Sequence, residues 1–149
     1  MLTDKKTGRP AKEPSPPPAQ QRIETVFGEP RNFFDNRFIY LVVSQRARGL
    51  SLGVNMNPDQ NCNFRCVYCE VKRDPEVREA RVNVRVMTAE LRKVLTWVRE
   101  RTLCELPSYR AVPEELLHLK GVALSGNGEP TLCPNFSEVV QALVHLRAL

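Results

Sequence analysis

Two short apolar runs, each followed by a polar loop and then by an amphipathic segment, constrain the fold of this chain most strongly. Residues 50–55 (LSLGVN) and 122–124 (VAL) have the length and composition of buried strands. Residues 88–103, and the residues from 135 onward, repeat apolar side chains at the spacing of one helical face. This alternation predicts an α/β fold in which parallel strands are joined by right-handed crossovers.

Both predicted helices begin with capping residues. Thr88 is of a type that caps helices, and the second helix opens at Asn135 with Glu138 at the capping-box position. A further short helical piece is predicted over residues 114–119. The apolar faces consist of Leu91, Val94, Leu95 and Val98 in the first helix and Phe136, Val139, Val140, Leu143 and Val144 in the second.

The N-terminal part of the chain differs in composition from the rest. Residues 1–22 are rich in proline and polar groups and nearly lack large apolar side chains, so we predict a disordered tail. Residues 37–43 (RFIYLVV) have the composition of a strand that precedes the main fold. We therefore assign residues 1–22 to the tail and 23–149 to one domain.

Length and hydropathy limit the class of protein. A chain of 149 residues that is 42% hydrophobic can build one core. It contains no apolar run near the about 18 to 20 residues that span a bilayer, and its N-terminus has no apolar signal-peptide centre. We therefore expect it to stay in the cytoplasm, where clustered thiols are metal ligands or catalytic groups more often than disulfides.

The net charge of +5 would favour an anionic partner such as RNA, but the basic residues are scattered. They form either a phosphate-facing surface or ordinary solvated faces, and charge alone gives no specificity. The residues in question are Arg46, Arg48, Lys72, Arg73, Arg78, Arg81 and Arg85.

Three cysteines follow the first parallel strand. Cys62, Cys66 and Cys69 have the spacing CxxxCxxC, which lets one loop place three sulfurs around one face of a small inorganic cluster. Iron–sulfur clusters are held by thiolates, usually four, so three ligands leave one iron open for chemistry.

Two other uses of these thiols remain. A zinc knuckle would need Cys104, Cys133 or His118 to complete a closed tetrahedral site, but the sequence has no second tight Cys or His pair. A regulatory disulfide would leave one thiol of the loop unpaired. Outside such a site, Cys104, Cys133, Trp97 and His118 have ordinary packing or loop roles.

A glycine-rich turn follows the second strand. Its residues are Gly126, Asn127, Gly128, Glu129 and Pro130. Glycine allows close approach of the backbone to a ligand, and a carboxylate accepts hydrogen bonds from an ammonium group. Both loops should lie at the carboxyl edge of the parallel strands, where α/β proteins bind ligands.

The cysteine spacing, with Tyr68 just before the last cysteine, resembles the radical S-adenosylmethionine (SAM) superfamily, and the turn is similar to its GGEP motif. The resemblance implies a 4Fe-4S cluster on Cys62, Cys66 and Cys69, with the amino and carboxylate groups of SAM on the fourth iron. It also implies that Tyr68 lies against the adenine, although a packing role is compatible with it. The turn, Gly126 to Pro130, would receive the SAM amino group, with Glu129 as the acidic contact. Asn127 is a mild departure from the motif.

In that family a reduced cluster cleaves SAM to a 5′-deoxyadenosyl radical that abstracts hydrogen from a substrate. The resemblance implies an electron donor of the flavodoxin or ferredoxin type. The form of the turn from Ser125 to Thr131 is similar to that of wyosine-type tRNA-modifying enzymes, which makes tRNA one candidate substrate.

The family barrel generally has six βα units, and this sequence supplies two. We therefore expect a partial (β/α) barrel, the N-terminal portion of a radical SAM domain, from a truncated frame or a longer protein. The substrate side would be absent, and an open sheet edge would favour aggregation. The alternatives are a non-catalytic zinc- or cluster-binding module and an RNA-binding accessory protein that keeps its cysteines for structure.

Overall fold

The computed structural model describes residues 33–69, 71 and 79–147, which form a mixed α/β fold. The strands are β1 (Ile39–Ser44), β2 (Gly49–Asn55) and β3 (Leu119–Ser125). The helices are α1 (Val84–Arg99) and α2 (Phe136–Arg147), and short 3-10 helices cover Thr102–Glu105, Glu114–Leu116 and Pro130–Leu132. Within this part of the chain the sheet has the order β1-β2-β3.

β2 and β3 are parallel neighbours, as the alternation predicted. Leu52 pairs with Val122 and Asn55 pairs with Ser125, and the Met56 N–H donates to the Ser125 carbonyl just beyond the strands (2.8 Å). The connection runs through α1, so the carboxyl ends of both strands lie at the same edge of the sheet.

β1 is the strand predicted to precede the main fold, and it pairs antiparallel with β2. Its start is held by Glu90 of α1, whose carboxylate accepts hydrogen bonds from three successive backbone N–H groups. These belong to Arg37 (2.8 Å), Phe38 (2.9 Å) and Ile39 (3.1 Å). Since those N–H groups precede or open the strand, Glu90 fixes where β1 begins against the helix.

The core lies between the sheet and the helices. α1 buries Met87, Leu91 and Val94, and α2 buries Val139. The strands contribute fully buried residues from both β1 and β2, namely Leu41, Leu50, Leu52 and Val54.

Trp97 has the packing role that the sequence indicated. Its ring makes edge contacts with Phe33 (6.4 Å between centroids) and Phe34 (5.3 Å), and the Lys93 ammonium lies 4.8 Å from its centroid. These contacts hold the segment before β1 against α1.

The predicted bounds of the first helix were wrong at both ends. Asn83, and not Thr88, is the N-cap: its side chain accepts from the Val86 N–H, so the helix begins at Val84 and Thr88 lies inside it. The helix ends at Arg99 rather than at residue 103, because Arg101 has a left-handed backbone with φ of 58°. Asn83, a residue type that favours the N-cap, was the missed signal.

The second helix begins at Phe136, as expected, but Asn135 and Glu138 do not form a capping box with the backbone. The Asn135 side chain instead accepts from the Val82 N–H (3.1 Å) and donates to the Val82 carbonyl (2.9 Å). Glu138 accepts from the Asn135 amide (3.1 Å). Asn135 therefore links the start of α2 to the segment that leads into α1.

β3 is longer and more exposed than predicted. It begins at Leu119, where the helical piece was expected to end, and that piece is only the 3-10 helix Glu114–Leu116. Val122 is 50% exposed, so the prediction of a second buried strand was wrong. In the described part of the chain β3 has a strand neighbour on one side only, which leaves its outer residues uncovered.

Several predictions fall on residues that lie outside those described. These are the tail over residues 1–22, the first ten residues of the assigned domain, and Lys72, Arg73 and Arg78 of the basic set. Among the helices that are described, none has the length and apolar character needed to cross a membrane.

Candidate functional site: two loops at one sheet edge

Two loops meet at the carboxyl edge of β2 and β3. The cysteine loop, residues 56–69, follows β2, and the glycine turn, residues 126–130, follows β3. The Glu129 N–H donates to the Asn61 carbonyl (3.0 Å), which joins the two loops through their backbones. The expected neighbourhood of the two motifs is therefore present.

Gly128 is required by this contact. A Cβ atom at Gly128 would overlap the Asn61 carbonyl oxygen and lie 2.8 Å from Asn57 Cβ. Any side chain at this position would push the turn away from the cysteine loop. Glycine therefore lets the two backbones approach closely, as the motif predicted.

Asn55, the last residue of β2, joins the loops a second time. Its Oδ1 accepts from the Asn57 N–H (3.2 Å) in the cysteine loop and from the Asn127 N–H (3.2 Å) in the glycine turn. Gly126 has φ of +133°, and a Cβ there would overlap the same oxygen. Asn55 was not predicted as a site residue, although a polar residue at the end of an apolar strand could have indicated it.

The three cysteines of the loop are free thiols, with Cys66 and Cys69 exposed and Cys62 half-buried. The Cys69 N–H donates to the Cys66 carbonyl (3.1 Å), which makes a local turn. Among the described residues, no three His, Cys, Asp or Glu side chains converge closely enough to hold a metal ion. A cluster would therefore have to draw the sulfurs together, as metals commonly do when binding organises a loop.

The cysteine loop also presents large apolar side chains to solvent. Phe64 is 56% exposed, Val67 is fully exposed and Tyr68 is 82% exposed, so Tyr68 does not pack in the described core. A hydrogen bond with Cys66, reinforced by the charges of the Cys66 and Cys69 sulfurs, raises the pKa of Tyr68 above its ordinary value. At neutral pH Tyr68 is therefore a neutral phenol with an exposed aromatic face.

Glu129 has a local structural task. Its Oε1 accepts from the Thr131 N–H (3.2 Å) and from the Thr131 hydroxyl (2.7 Å), which caps the 3-10 helix that begins at Pro130. Glu129 as a whole residue is half-buried, next to the contact between the loops, and the two hydrogen bonds of its carboxylate are exposed. Glu129 lies at the carboxyl edge of the parallel strands, as predicted, and its side chain is held by Thr131.

The donor set of the cysteine loop fits an iron–sulfur cluster. Three free thiols within one loop are the soft ligands that such clusters need. Asn57 is 1% exposed, its Cβ lies beside Gly128, and its Oδ1 has no hydrogen-bond partner in the described part of the chain. A buried acceptor without a donor costs about 1 to 3 kcal/mol, and a cluster has no N–H or O–H group that could supply the donor.

Two of the three residues that could have completed a zinc knuckle, Cys104 and His118, lie away from the cysteine loop. The His118 carbonyl accepts from the Leu50 N–H (2.8 Å), which places His118 at the opposite end of β2, roughly 20 Å away at strand spacing. Cys104 and His118 line one cavity of about 310 Å³ at that end. Cys133 is 4% exposed, and its thiol donates to Asn135 Oδ1 (3.5 Å).

The described basic residues do not form one surface. Arg46 and Arg48 lie in the turn between β1 and β2, at the far end of β2 from the cysteine loop. Arg81 and Arg85 lie just before and within the first turn of α1, and Arg81 pairs with Glu138 (3.7 Å). This separation favours the solvated-face interpretation of the charge.

Fold and site together define an α/β protein with a thiol-bearing loop and a glycine turn in contact at the carboxyl edge of a parallel strand pair. Two curated relatives are similar to it: a UPF0026 protein of Helicobacter pylori strain J99 and its counterpart in strain 26695, each 29% identical over 102 residues. The matched segment covers 68% of this chain but only 28% of each relative. No family model matches the chain, and no solved structure matches it significantly.

Proposed function

We propose that this chain carries the cofactor-binding half of a radical SAM site, with a 4Fe-4S cluster on Cys62, Cys66 and Cys69. The observation that carries the proposal is the direct contact between the cysteine loop and the glycine turn, through Glu129 and Asn61 (3.0 Å). A cofactor shared by the two motifs needs them adjacent, and chain order alone does not guarantee that.

Each loop has a separate part in this proposal. The cysteine loop supplies three thiolates and leaves one iron open, and the exposed ring of Tyr68 offers a flat apolar surface for an adenine. In this proposal the glycine turn, which contacts the cysteine loop through its backbone, would receive a ligand ammonium with its backbone groups and the Glu129 carboxylate. When bound, the cluster and SAM supply the one-electron chemistry that makes a 5′-deoxyadenosyl radical.

Anaerobic reconstitution with iron and sulfide tests the cluster. We expect a brown protein with about four irons and four sulfides per chain, which absorbs at about 400 nm. Replacement of Cys62, Cys66 or Cys69 by alanine should abolish loading. Cys104→Ala, which removes an exposed thiol at the opposite end of β2, should load as the unchanged chain does. Stoichiometric zinc without iron or sulfide would contradict the proposal and favour a zinc module.

The catalytic part of the proposal has its own test. The resemblance places further SAM contacts and the substrate side beyond the two βα units described here. We therefore expect the 149-residue chain to hold a cluster but to release little 5′-deoxyadenosine with SAM and a reductant. Robust turnover by this chain would contradict that expectation. The same resemblance is the basis for two further proposals. One is tRNA as a candidate substrate, and the other is an electron donor of the flavodoxin or ferredoxin type.

A further inference from the structure

We propose that Asn55 is a positioning residue that holds the glycine turn against the cysteine loop and thereby sets the affinity of the site for SAM. The inference rests on the proposed function for its ligand, but its geometric basis is independent of any cofactor. Asn55 carries no thiol and belongs to neither motif, and its side chain touches both loops.

The acceptor oxygen of Asn55 lies where the two parallel strands end. Asn55 closes β2 and pairs in register with Ser125, the last residue of β3, so its side chain stands between the two departing loops. Its Oδ1 accepts from Asn57 two residues on, which is an Asx-type turn that directs the cysteine loop away from the strand. The same oxygen accepts from Asn127 across the strand pair.

The glycine turn is shaped around that oxygen. Gly126 has φ of +133°, a conformation that L side chains rarely adopt, and the space where its Cβ would stand contains Asn55 Oδ1. The turn therefore approaches Asn55 as closely as its backbone permits. Without this oxygen the Asn57 and Asn127 N–H groups lose the acceptor that they share, and the turn loses one of its links to the cysteine loop; the bond from Glu129 to Asn61 is another.

A ligand that contacts both loops binds more tightly when their relative position is already set, because less ordering is needed on binding. Asn55 should therefore affect SAM binding at the glycine turn more than cluster loading, for which the three thiols lie within one loop. Replacement of a residue with a merely structural role would alter SAM binding and cluster loading together, or would leave both unchanged.

Hydrogen exchange on the cofactor-free chain tests the geometry. In Asn55→Ala we expect amide exchange to rise about tenfold in peptides covering residues 56–61 and 126–132, with α1 and the strand pair unchanged. Asn55→Asp keeps an oxygen acceptor and should restore the protection. Unchanged exchange in Asn55→Ala, or failure of Asn55→Asp to restore protection, would overturn the inference even if no cluster ever forms.

SAM binding to the reconstituted chain tests the consequence. We expect Asn55→Ala to keep its iron and sulfide content while its dissociation constant for SAM, measured by calorimetry, rises about tenfold. Asn55→Asp should bind nearly as the unchanged chain does, and so should Asn63→Ala, an exposed asparagine of the same loop.

The outcomes separate the two proposals. If the chain without substitutions loads no cluster, the proposed function is contradicted. The hydrogen-exchange experiment then tests the role of Asn55 by itself. An unchanged chain that binds cluster and SAM, with Asn55→Ala equal to it in SAM affinity, refutes the role of Asn55 alone. Equal losses in Asn55→Ala and Asn63→Ala would also refute it, since any disturbance of the loop would then suffice.

Discussion

The backbone conformation of Gly126 lets the glycine turn contact Asn55 at the candidate site. Its φ of +133° is strained for any L side chain, and an added Cβ would overlap Asn55 Oδ1. We expect Gly126→Ala to lower the free energy of unfolding by about 1 to 3 kcal/mol, measured by chemical denaturation.

Gly121 of β3, the strand that leads into Gly126, is the matched control, because a Cβ there would meet no atom within 4 Å. Gly121→Ala should therefore be neutral or slightly stabilising. Equal losses from the two substitutions would show that the backbone of the turn is not under the constraint described.

Gly53 of β2 also has no room for a side chain. It pairs with Tyr40 of β1, whose ring lies over the glycine and whose hydroxyl hydrogen-bonds with Ser125 Oγ at the end of β3. Gly53→Ala would displace the ring, and we expect a loss of about 1 to 3 kcal/mol in the free energy of unfolding.

The ring itself provides the control for this prediction. In a Tyr40→Leu background the smaller side chain leaves room for the added methyl group, so Gly53→Ala should cost clearly less. Additive effects in the double-mutant cycle would mean that Tyr40 is not what excludes a side chain at Gly53.

At the scale of elements, the attachment of β1 to α1 depends on Glu90. One carboxylate accepts three backbone N–H bonds of 2.8 to 3.1 Å, and hydrogen bonds to a charged acceptor are the stronger kind. We expect Glu90→Ala to lower the free energy of unfolding by about 2 to 4 kcal/mol, because partly buried donors lose their acceptor.

The same helix offers a control. Glu100 lies at the C-terminus of α1 in an exposed pair with Arg99 (3.7 Å), and such pairs contribute little. Glu100→Ala should change the unfolding free energy by no more than about 0.5 kcal/mol. If Glu90→Ala were equally mild, the start of β1 would not depend on this carboxylate.

At the scale of the whole molecule, the outer surface of β3 is apolar and uncovered in the described part of the chain. A groove of about 400 Å³ lies between α1, β3 and α2, with Arg147 as its one charged lining residue. Its apolar lining residues are Leu91, Leu95, Val122, Leu124, Val140, Leu143, Val144 and Leu146. Exposed apolar grooves beside an open sheet edge favour self-association. We expect the purified chain to self-associate with rising concentration, and Val122→Lys to reduce this at least severalfold in light scattering.

Ala89→Lys controls for net charge, since it adds the same group at an exposed position of α1 that does not line the groove. It should leave self-association nearly unchanged. If both lysines acted equally, added charge rather than the groove would explain the effect.

The class of fold and the two motifs could be predicted from the sequence. Apolar strands, polar loops and one-sided helices recur in an order typical of a parallel α/β arrangement, in which each apolar face finds a partner. That order also predicted that both loops would lie at one sheet edge, and the hydrogen bond from Glu129 to Asn61 confirms it.

Contacts between residues far apart in the chain set the remaining details. Asn83 rather than Thr88 caps α1, and Asn135 bonds to Val82 instead of forming a capping box. Asn55 accepts a hydrogen bond from Asn127, 72 residues further along the chain. A short polar side chain can satisfy any nearby backbone group, so its partner follows from packing and not from local spacing. The exposure of Val122 has the same origin, since an apolar residue is buried only where another element covers it.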